Sequence, residues 1–465
     1  MAGIYVHIPF CNSFCIYCGF YSVINKQIRE NYIPALKREI YGRRSFFNAG
    51  TEQNVNSSFS ETGTKISTLY FGGGTPSVLK VSQLEEIVQC LKDNFKFAAE
   101  VRSPAGGGDK LTACAVDKFV AGGEDKFSAG FRDKFEFTVE VNPDDITPEY
   151  AAGLKSIGVN RISMGVQSFI DEHLKWMHRR HTSADAINAY YILRDAGFDN
   201  ISLDLIFGFF GLSTQQWRYN LNKIISLRPD HISAYQLSID EGTTLEALDN
   251  QGKYLPMSAD ECAAQYAMLQ DILSVADYDQ YEISNFARCA ETTSSHALRV
   301  SNSCADHLPC TLSYRSQHNS NYWNKTPYLG LGPGAHSFDG CNHREWNFPD
   351  VENYCNPQTL ELRSGESLTE KDIFNESIML GLRQTKGLDL STLNKDLLKT
   401  ILPAVARLED EHLLLQENFK DNCCDDHRGD DHRDSLHSVD CGKFIIKIPT
   451  DKFFISDSIM RDLFV

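Results

Sequence analysis

The feature that most constrains the fold is an alternation, from residue 3 to about residue 240, of short apolar runs with amphipathic stretches. This alternation is typical of a parallel sheet covered by helices. The runs are almost continuously hydrophobic, which indicates strands that are buried on both faces. Six runs qualify as strands, each followed by a helical pattern, and they begin at Gly3, Lys65, Phe135, Arg161, Asn200 and His231.

Six strand–helix units are two short of a closed eight-stranded barrel, so we predict an α/β fold with a partial, open (β/α)6 TIM-like barrel. Functional residues are then expected at the C-terminal ends of the strands. Residues 1–240 are interpreted as the barrel, 241–365 as an extension that covers it, and 366–465 as a small α+β domain resembling a winged helix. Strands are predicted in that last domain from Lys443 and from Lys452.

Four polar stretches interrupt this pattern and are predicted to be surface insertions without an assigned function. The second contains an imperfect eight-residue repeat, and the last two contain Cys and His at spacings that match no closed metal site. The four stretches are 46–64, 109–135, 288–314 and 419–442.

The composition excludes some classes of protein. A net charge of −17 argues against a nucleic-acid surface, which needs clustered Lys and Arg. No apolar run approaches the ~20 residues that span a bilayer, so any membrane contact is expected to be peripheral or through a partner. The 14 cysteines without a secretion signal predict a reducing compartment, the cytoplasm.

Cys11, Cys15 and Cys18 form a C-x3-C-x2-C motif. Three soft thiolates on one loop can ligate three irons of a 4Fe–4S cluster and leave the fourth iron open to a small molecule. A structural zinc site would need a fourth ligand, and position 20, two beyond the third cysteine, is Phe20. A disulfide framework suits small secreted chains instead.

Polar residues follow several predicted strands. The glycine run from Gly72 ends the second strand, and Glu140, Gln167 and Asp204 belong to the third, fourth and fifth. Two carboxylates and an amide can together bind an amino group, a ribose and an adenine edge. Each of them alone is better explained as a hydrogen-bonded core group.

Together these motifs resemble the radical S-adenosylmethionine (SAM) superfamily, and within it the group of oxygen-independent coproporphyrinogen III oxidases and related haem chaperones. The segments that carry the resemblance include GIYVHIPFCNSFCIYCGF, YFGGGTPS, EVNPDD, RISMGVQSF and YLGLGPGAHSF. The resemblance implies that the three cysteines ligate a 4Fe–4S cluster whose fourth iron binds SAM, which such proteins cleave to a radical. It also implies a SAM pocket of Tyr5, Tyr17, Gly73, Gly74, Thr75, Glu140, Gln167, Arg179 and Asp204.

Two features favour the chaperones over the oxidases. The oxidases carry a fourth cysteine where this chain has Phe20, and His318-Asn-Ser-Asn-Tyr-Trp fits the H-N-x-x-Y-W motif of the chaperones, which implies His318 as a haem ligand. The start of the chain ten residues before Cys11, without an N-terminal arm, is expected to point the same way. Phe210 and Gly19 depart from the family, which usually has proline and often aspartate there.

The predicted function is therefore that of a haem chaperone that binds a 4Fe–4S cluster, SAM and haem and transfers haem to respiratory haem proteins. The alternative is an oxidase that decarboxylates coproporphyrinogen III; no side chain is assigned a catalytic role, and SAM cleavage is left open. An electron donor for the cluster and a homodimer are further expectations. Radical modification of RNA is disfavoured by the charge of −17.

Overall fold

A computed structural model describes residues 1–25, 27–48, 64–98, 135–289, 314–359, 362–419 and 443–465. The four predicted insertions lie wholly or largely outside these ranges. Within them, no helix is both long enough and apolar enough to cross a membrane.

The predicted barrel strands are present, and neighbouring strands pair in parallel in chain order. Each predicted run contains one strand, because burial on both faces requires the apolar residues by which the runs are recognised. The strands are β1 Ala2–Ile8, β2 Ile66–Gly73, β3 Glu136–Val141, β4 Arg161–Gln167, β5 Ile201–Phe207 and β6 His231–Gln236. The partial open barrel is confirmed.

Helices follow these strands and cover the outer face of the sheet. The helix α2 Val81–Asn94, for example, buries the one apolar stripe formed by Leu84, Ile87 and Leu91. The helices are α1 Arg29–Gly42, α2 Val81–Asn94, α3 Pro148–Ser156, α4 Asp171–Trp176, α5 Ser183–Asp195, α6 Thr214–Leu227, α7 Thr244–Asn250 and α8 Ala259–Val275.

Residues 241–365 extend the sheet at both edges. At the β6 edge lie the antiparallel strands β7 Tyr278–Gln280 and β8 Asn285–Arg288. At the β1 edge, after the helix α9 Gln317–Trp323, the strand β9 Tyr328–Leu331 pairs in parallel with β1. Antiparallel strands continue from β9, namely β10 His336–Phe338, β11 His343–Asn347 and, after α10 Val351–Cys355, β12 Arg363–Ser367. The described sheet has 12 strands and stays open.

The two faces of the barrel strands differ in polarity because side chains alternate along a strand. On β2, Leu69 and Phe71 pack in the core, whereas Tyr70 between them faces the concave side. On β4, Ile162 is in the core and Ser163 faces the concave side. The inner face therefore presents polar groups to a cavity.

The C-terminal segment has a small antiparallel sheet of its own. Its elements are α11 Glu370–Leu382, β13 Leu388–Asp389, α12 Lys395–Asp410, β14 Leu415–Phe419, β15 Lys443–Lys447 and α13 Ser456–Arg461. In the sheet, β15 lies between β13 and β14. The strand predicted from Lys452 is wrong, because Thr450–Ile455 forms a 3-10 helix that leads into α13. The buried residues follow a helical spacing of three or four, at Phe453, Ser456, Ile459, Met460 and Leu463.

Candidate functional site

A cavity of about 450 Å³ opens at the C-terminal ends of the barrel strands. It brings together eleven of the residues predicted for the cluster and the SAM pocket, although they come from distant parts of the chain. They are Cys11, Cys15, Tyr17, Cys18, Gly73, Gly74, Thr75, Glu140, Gln167, Arg179 and Asp204. Tyr5 and His318 lie outside its lining.

The three cysteines are free thiols on one wall of this cavity. Cys11 Sγ lies 3.4 Å from Thr75 Oγ1, and burial raises the pKa of the Cys18 thiol to about 11. Metal coordination deprotonates a thiol outright, so this pKa is no obstacle to ligation. The described residues contain no group of three His, Cys, Asp or Glu arranged to hold a single metal ion. The chemistry of three neighbouring thiols fits an iron–sulfur cluster, in which each thiolate ligates a different iron.

Arg179 is held against the cysteines by the strand ends. Its Nη2 donates to Asn142 Oδ1 and to the Gly165 carbonyl, both at 2.7 Å, and its Nη1 donates to Cys15 Sγ at 3.5 Å. Burial would lower its pKa, but Tyr17 and Cys15 raise it by more, so the guanidinium stays charged. A fixed cation beside cysteines stabilises their thiolates.

The glycine run is required by the packing of the chain itself. Gly73 has φ +107°, and a Cβ there would lie 2.6 Å from the His7 ring. Gly74 N donates to the Ile8 carbonyl and Thr75 N to the Phe10 carbonyl, at 2.9 and 2.8 Å. These contacts bring the end of β2 against the start of the cysteine loop, so the glycines shape the cavity as well as lining it.

Glu140 and Asp204 are two acidic groups on the cavity wall. Glu140 accepts from Tyr70 Oη at 2.7 Å and from Gly73 N at 3.2 Å, while burial raises its pKa to about 7. Asp204 accepts from Ser163 at 3.3 Å, and burial raises its pKa to about 6. Carboxylates with raised pKa values can take up an amine or a hydroxyl without leaving two fixed buried charges.

Gln167 is turned into the cavity by a backbone irregularity. The pairing of β4 with β5 shifts register between Gly165 and Gln167, and Gln167 has φ +66°. Such bulges re-aim side chains next to functional sites. A Cβ on Gly165 would lie 2.8 Å from Gln167 Nε2 and 3.2 Å from Arg179 Nη2.

His318 and Tyr5 lie behind the wall formed by Tyr70. The His318 ring stacks on Tyr70 at 4.9 Å, its Nδ1 is 2.9 Å from Thr68 Oγ1, and its Nε2 is 3.0 Å from Tyr322 Oη. Tyr5 Oη is hydrogen-bonded to His7, and its ring lies 6.0 Å from Tyr70. Burial lowers the pKa of His318 to about 3, so its ring is neutral.

Exposed aromatic rings lie at the cavity mouth. Phe20 is 69% exposed and Phe14 is 49% exposed, and both line the cavity. Singly exposed rings are ordinary, whereas two on one loop beside a cavity offer an apolar surface to a flat ligand.

The structure accounts for both departures from the family pattern. Phe210 N lies 3.5 Å from Tyr254 Oη, a contact that proline could not make. At Gly19 a Cβ would lie 2.8 Å from Asp240 Oδ2, so a carboxylate from another loop already occupies that position.

The sequence predictions omitted several polar residues of the inner wall. They include Tyr70, Asn142, Arg161, Ser163, Ser233 and Tyr235. Three of them, Tyr70, Ser163 and Arg161, could have been found by extending the period-two pattern backward along β2 from Gly72 and along β4 from Gln167.

Comparison with known proteins agrees with this geometry. The family described as "Radical SAM superfamily" matches residues 5–223. "Heme chaperone HemW" of Bacillus subtilis is 30% identical over 393 residues, which are 83% of this chain and 84% of the relative. "Radical S-adenosyl methionine domain-containing protein 1, mitochondrial" of Dictyostelium discoideum is 28% identical, covering 84% of this chain and 82% of the relative.

Among solved structures, the radical SAM enzyme coproporphyrinogen III oxidase (HemN) from Escherichia coli superposes with a TM-score of 0.67. The match covers 100% of this chain and 90% of that chain at 20% identity, so it supports the fold alone.

Proposed function

Because this chain belongs to the radical SAM superfamily and, within it, to the HemW family, we propose that it is a haem chaperone that binds haem and transfers it to haem proteins. The observation that carries this proposal is the likeness to the Bacillus HemW over 83% of the chain, which extends far beyond the residues 5–223 shared with the whole superfamily. Phe20, in place of the fourth cysteine of the oxidases, supports the same choice.

The superfamily's cofactors are a 4Fe–4S cluster and SAM, and the donor set of the cavity suits both. In the proposed arrangement Cys11, Cys15 and Cys18 ligate the cluster, which with SAM supplies one-electron chemistry when both are bound. The positive charge of Arg179 lies beside Cys15 and stabilises its thiolate. Residues on the opposite wall provide the polar groups for SAM, namely Gly73, Gly74, Thr75, Glu140, Gln167 and Asp204.

We propose that haem binds at the aromatic mouth of the same cavity. Phe14 and Phe20 offer ring faces on which a porphyrin can stack. His318 is proposed as the iron ligand, since a neutral imidazole has the free lone pair that iron needs. Both of its nitrogens are hydrogen-bonded, so ligation requires that the bond to Tyr322 or to Thr68 be broken.

Finer features of the proposal concern partners and compartment. Respiratory haem proteins are the proposed acceptors, a cellular reductant supplies the electron for the cluster, and a homodimer is the proposed assembly. The cytoplasm is the proposed location. Since the name of the Dictyostelium relative places that protein in mitochondria, fractionation of cells that express the tagged chain tests this point.

One anaerobic experiment separates the chaperone from the oxidase. The cluster is reconstituted, haem is titrated while the Soret band is followed, and coproporphyrinogen III consumption is assayed on the same sample with SAM. We expect haem binding and no porphyrinogen turnover. Robust turnover that depends on SAM would overturn the proposal.

A pair of histidine variants tests the haem ligand. We expect His318→Ala to weaken haem binding and to shift the Soret band, because the iron loses an axial ligand. His336→Ala is the matched control, since His336 is an exposed residue stacked on Trp346 outside the cavity. Equal spectra of the two variants would exclude His318 as the ligand.

A further inference from the structure

Arg161 is a buried cation for which the barrel provides no partner. It begins β4, is 2% exposed and lines the cavity. Among the described residues, its guanidinium makes no hydrogen bond or ion pair, and its Nε is buried without an acceptor. An unpaired buried charge is costly and is normally compensated by a ligand or an ion partner.

The neighbouring acids do not serve as that partner. Glu140 is bound by Tyr70 Oη and Gly73 N, and Asp204 by serine hydroxyls. The charge of Arg161 nevertheless lowers the pKa of Glu140, Asp204 and His318. For the two acids, burial raises the pKa by more than Arg161 lowers it. These three groups come from β3, β5 and α9, and Arg161 itself begins β4, so the guanidinium lies between these elements near the N-terminal ends of the strands, the barrel floor.

The required ligand group is therefore an anion that reaches the floor of the cavity. A singly charged carboxylate suits this position better than a phosphate, because Glu140 and Asp204 would repel a dianion. The carboxylate of SAM is expected at the cluster, beyond the C-terminal ends of the strands. Arg161 begins β4 and Gln167 ends it, so roughly 20 Å of extended strand separates Arg161 from the strand end at which SAM is expected.

We propose that Arg161 binds a propionate carboxylate of the porphyrin, so that haem enters the cavity with its propionate edge first. This inference rests on the proposed haem binding. It adds the barrel floor to the haem site that begins at Phe14 and Phe20, whereas the three cysteines and the polar residues at the strand ends serve the cluster and SAM.

The first test compares two ligands on the unaltered, cluster-loaded protein. Iron protoporphyrin IX and its dimethyl ester are titrated by the Soret band. We expect the ester to bind roughly tenfold more weakly or worse, the usual effect of losing a hydrogen-bonded charge pair. Equal affinities would overturn this inference alone; absence of binding by both compounds would overturn the proposed function and this inference with it.

Variants then locate the contact. We expect Arg161→Gln to weaken binding of the free-acid porphyrin by a similar factor and to leave binding of the dimethyl ester unchanged. Arg161→Lys should retain part of the difference in affinity between the two porphyrins. Arg194→Gln is the control, because Arg194 pairs with Asp230 away from the cavity. If Arg161→Gln does not fold, the lysine variant decides. An equal loss for both porphyrins, or a loss of SAM affinity with haem binding intact, would overturn the assignment.

Discussion

At the scale of residues, Arg179 contacts one of the three proposed cluster ligands. Cys15→Ala removes the thiol that Arg179 contacts at 3.5 Å and leaves two of the three proposed ligands on the loop. We expect reconstituted protein to lose the visible absorbance of the cluster and most of its bound iron. Cys341→Ala, at an exposed cysteine outside the cavity, is the control and should keep both. An unaltered spectrum for Cys15→Ala would refute the ligand assignment.

Glu140 makes the stability of the ligand-free protein depend on pH. Its pKa is raised by burial from 4.5 to about 7, so between these values the folded protein binds more protons than the unfolded chain. The free energy of unfolding therefore falls as pH rises from about 4.5 to 7, by at most on the order of 3 kcal/mol. Asp204, whose pKa is raised to about 6, contributes in the same direction.

Urea unfolding at a series of pH values checks this expectation. Glu140→Gln should flatten the pH dependence of the unfolding free energy, because the amide keeps the shape and does not titrate. Glu149→Gln, on a solvent-exposed position of α3, is the matched control and should leave the dependence as it is. A variant at Glu140 with the same slope as the unaltered protein would contradict the assigned pKa.

At the scale of elements, α9 is a short helix that must move if His318 is to reach haem. It is held at the barrel floor because Glu136 accepts from the backbone N–H groups of Gln317 and His318, at 3.0 and 2.9 Å. We expect haem to speed amide hydrogen exchange in Gln317–Trp323, since ligation breaks a side-chain bond of His318. Exchange in α5, far from this floor, serves as the internal control. Unchanged exchange in α9 on haem binding would exclude its displacement.

The elements differ in how far the sequence predicts them. The six barrel strands are predictable because each is an apolar run that burial requires. The C-terminal run from Lys452 is misread because a short window of apolar residues fits a strand or a helix equally well; only the continuation to Leu463 reveals the helical period. The position of α9 depends on Glu136, 182 residues before His318, and no local pattern encodes such a contact.

At the scale of the molecule, parallel strand order makes much of the cavity predictable. Polar residues at the ends of parallel strands must converge on one edge, so the sequence predicts that the cysteine loop, Glu140 and Gln167 lie close together. Which side chains lie behind this wall is not predictable. Tyr5 and His318 lie behind Tyr70, because side-chain packing rather than strand order sets their positions.

The C-terminal segment is joined to the extension of the barrel by a buried ion pair whose loss should destabilise the whole protein. Glu282 is fully buried and accepts from Arg383 Nη2 at 3.1 Å, and Arg383 also lies over the Trp323 ring at 3.9 Å. Arg383→Ala leaves the buried carboxylate of Glu282 without its cation. We therefore expect urea unfolding to show a free energy of unfolding that is lower by about 3 kcal/mol. Adding Glu282→Gln removes the stranded charge and should restore part of that loss. If the double variant is no more stable than Arg383→Ala, the contact with Trp323 and not the ion pair joins the two parts.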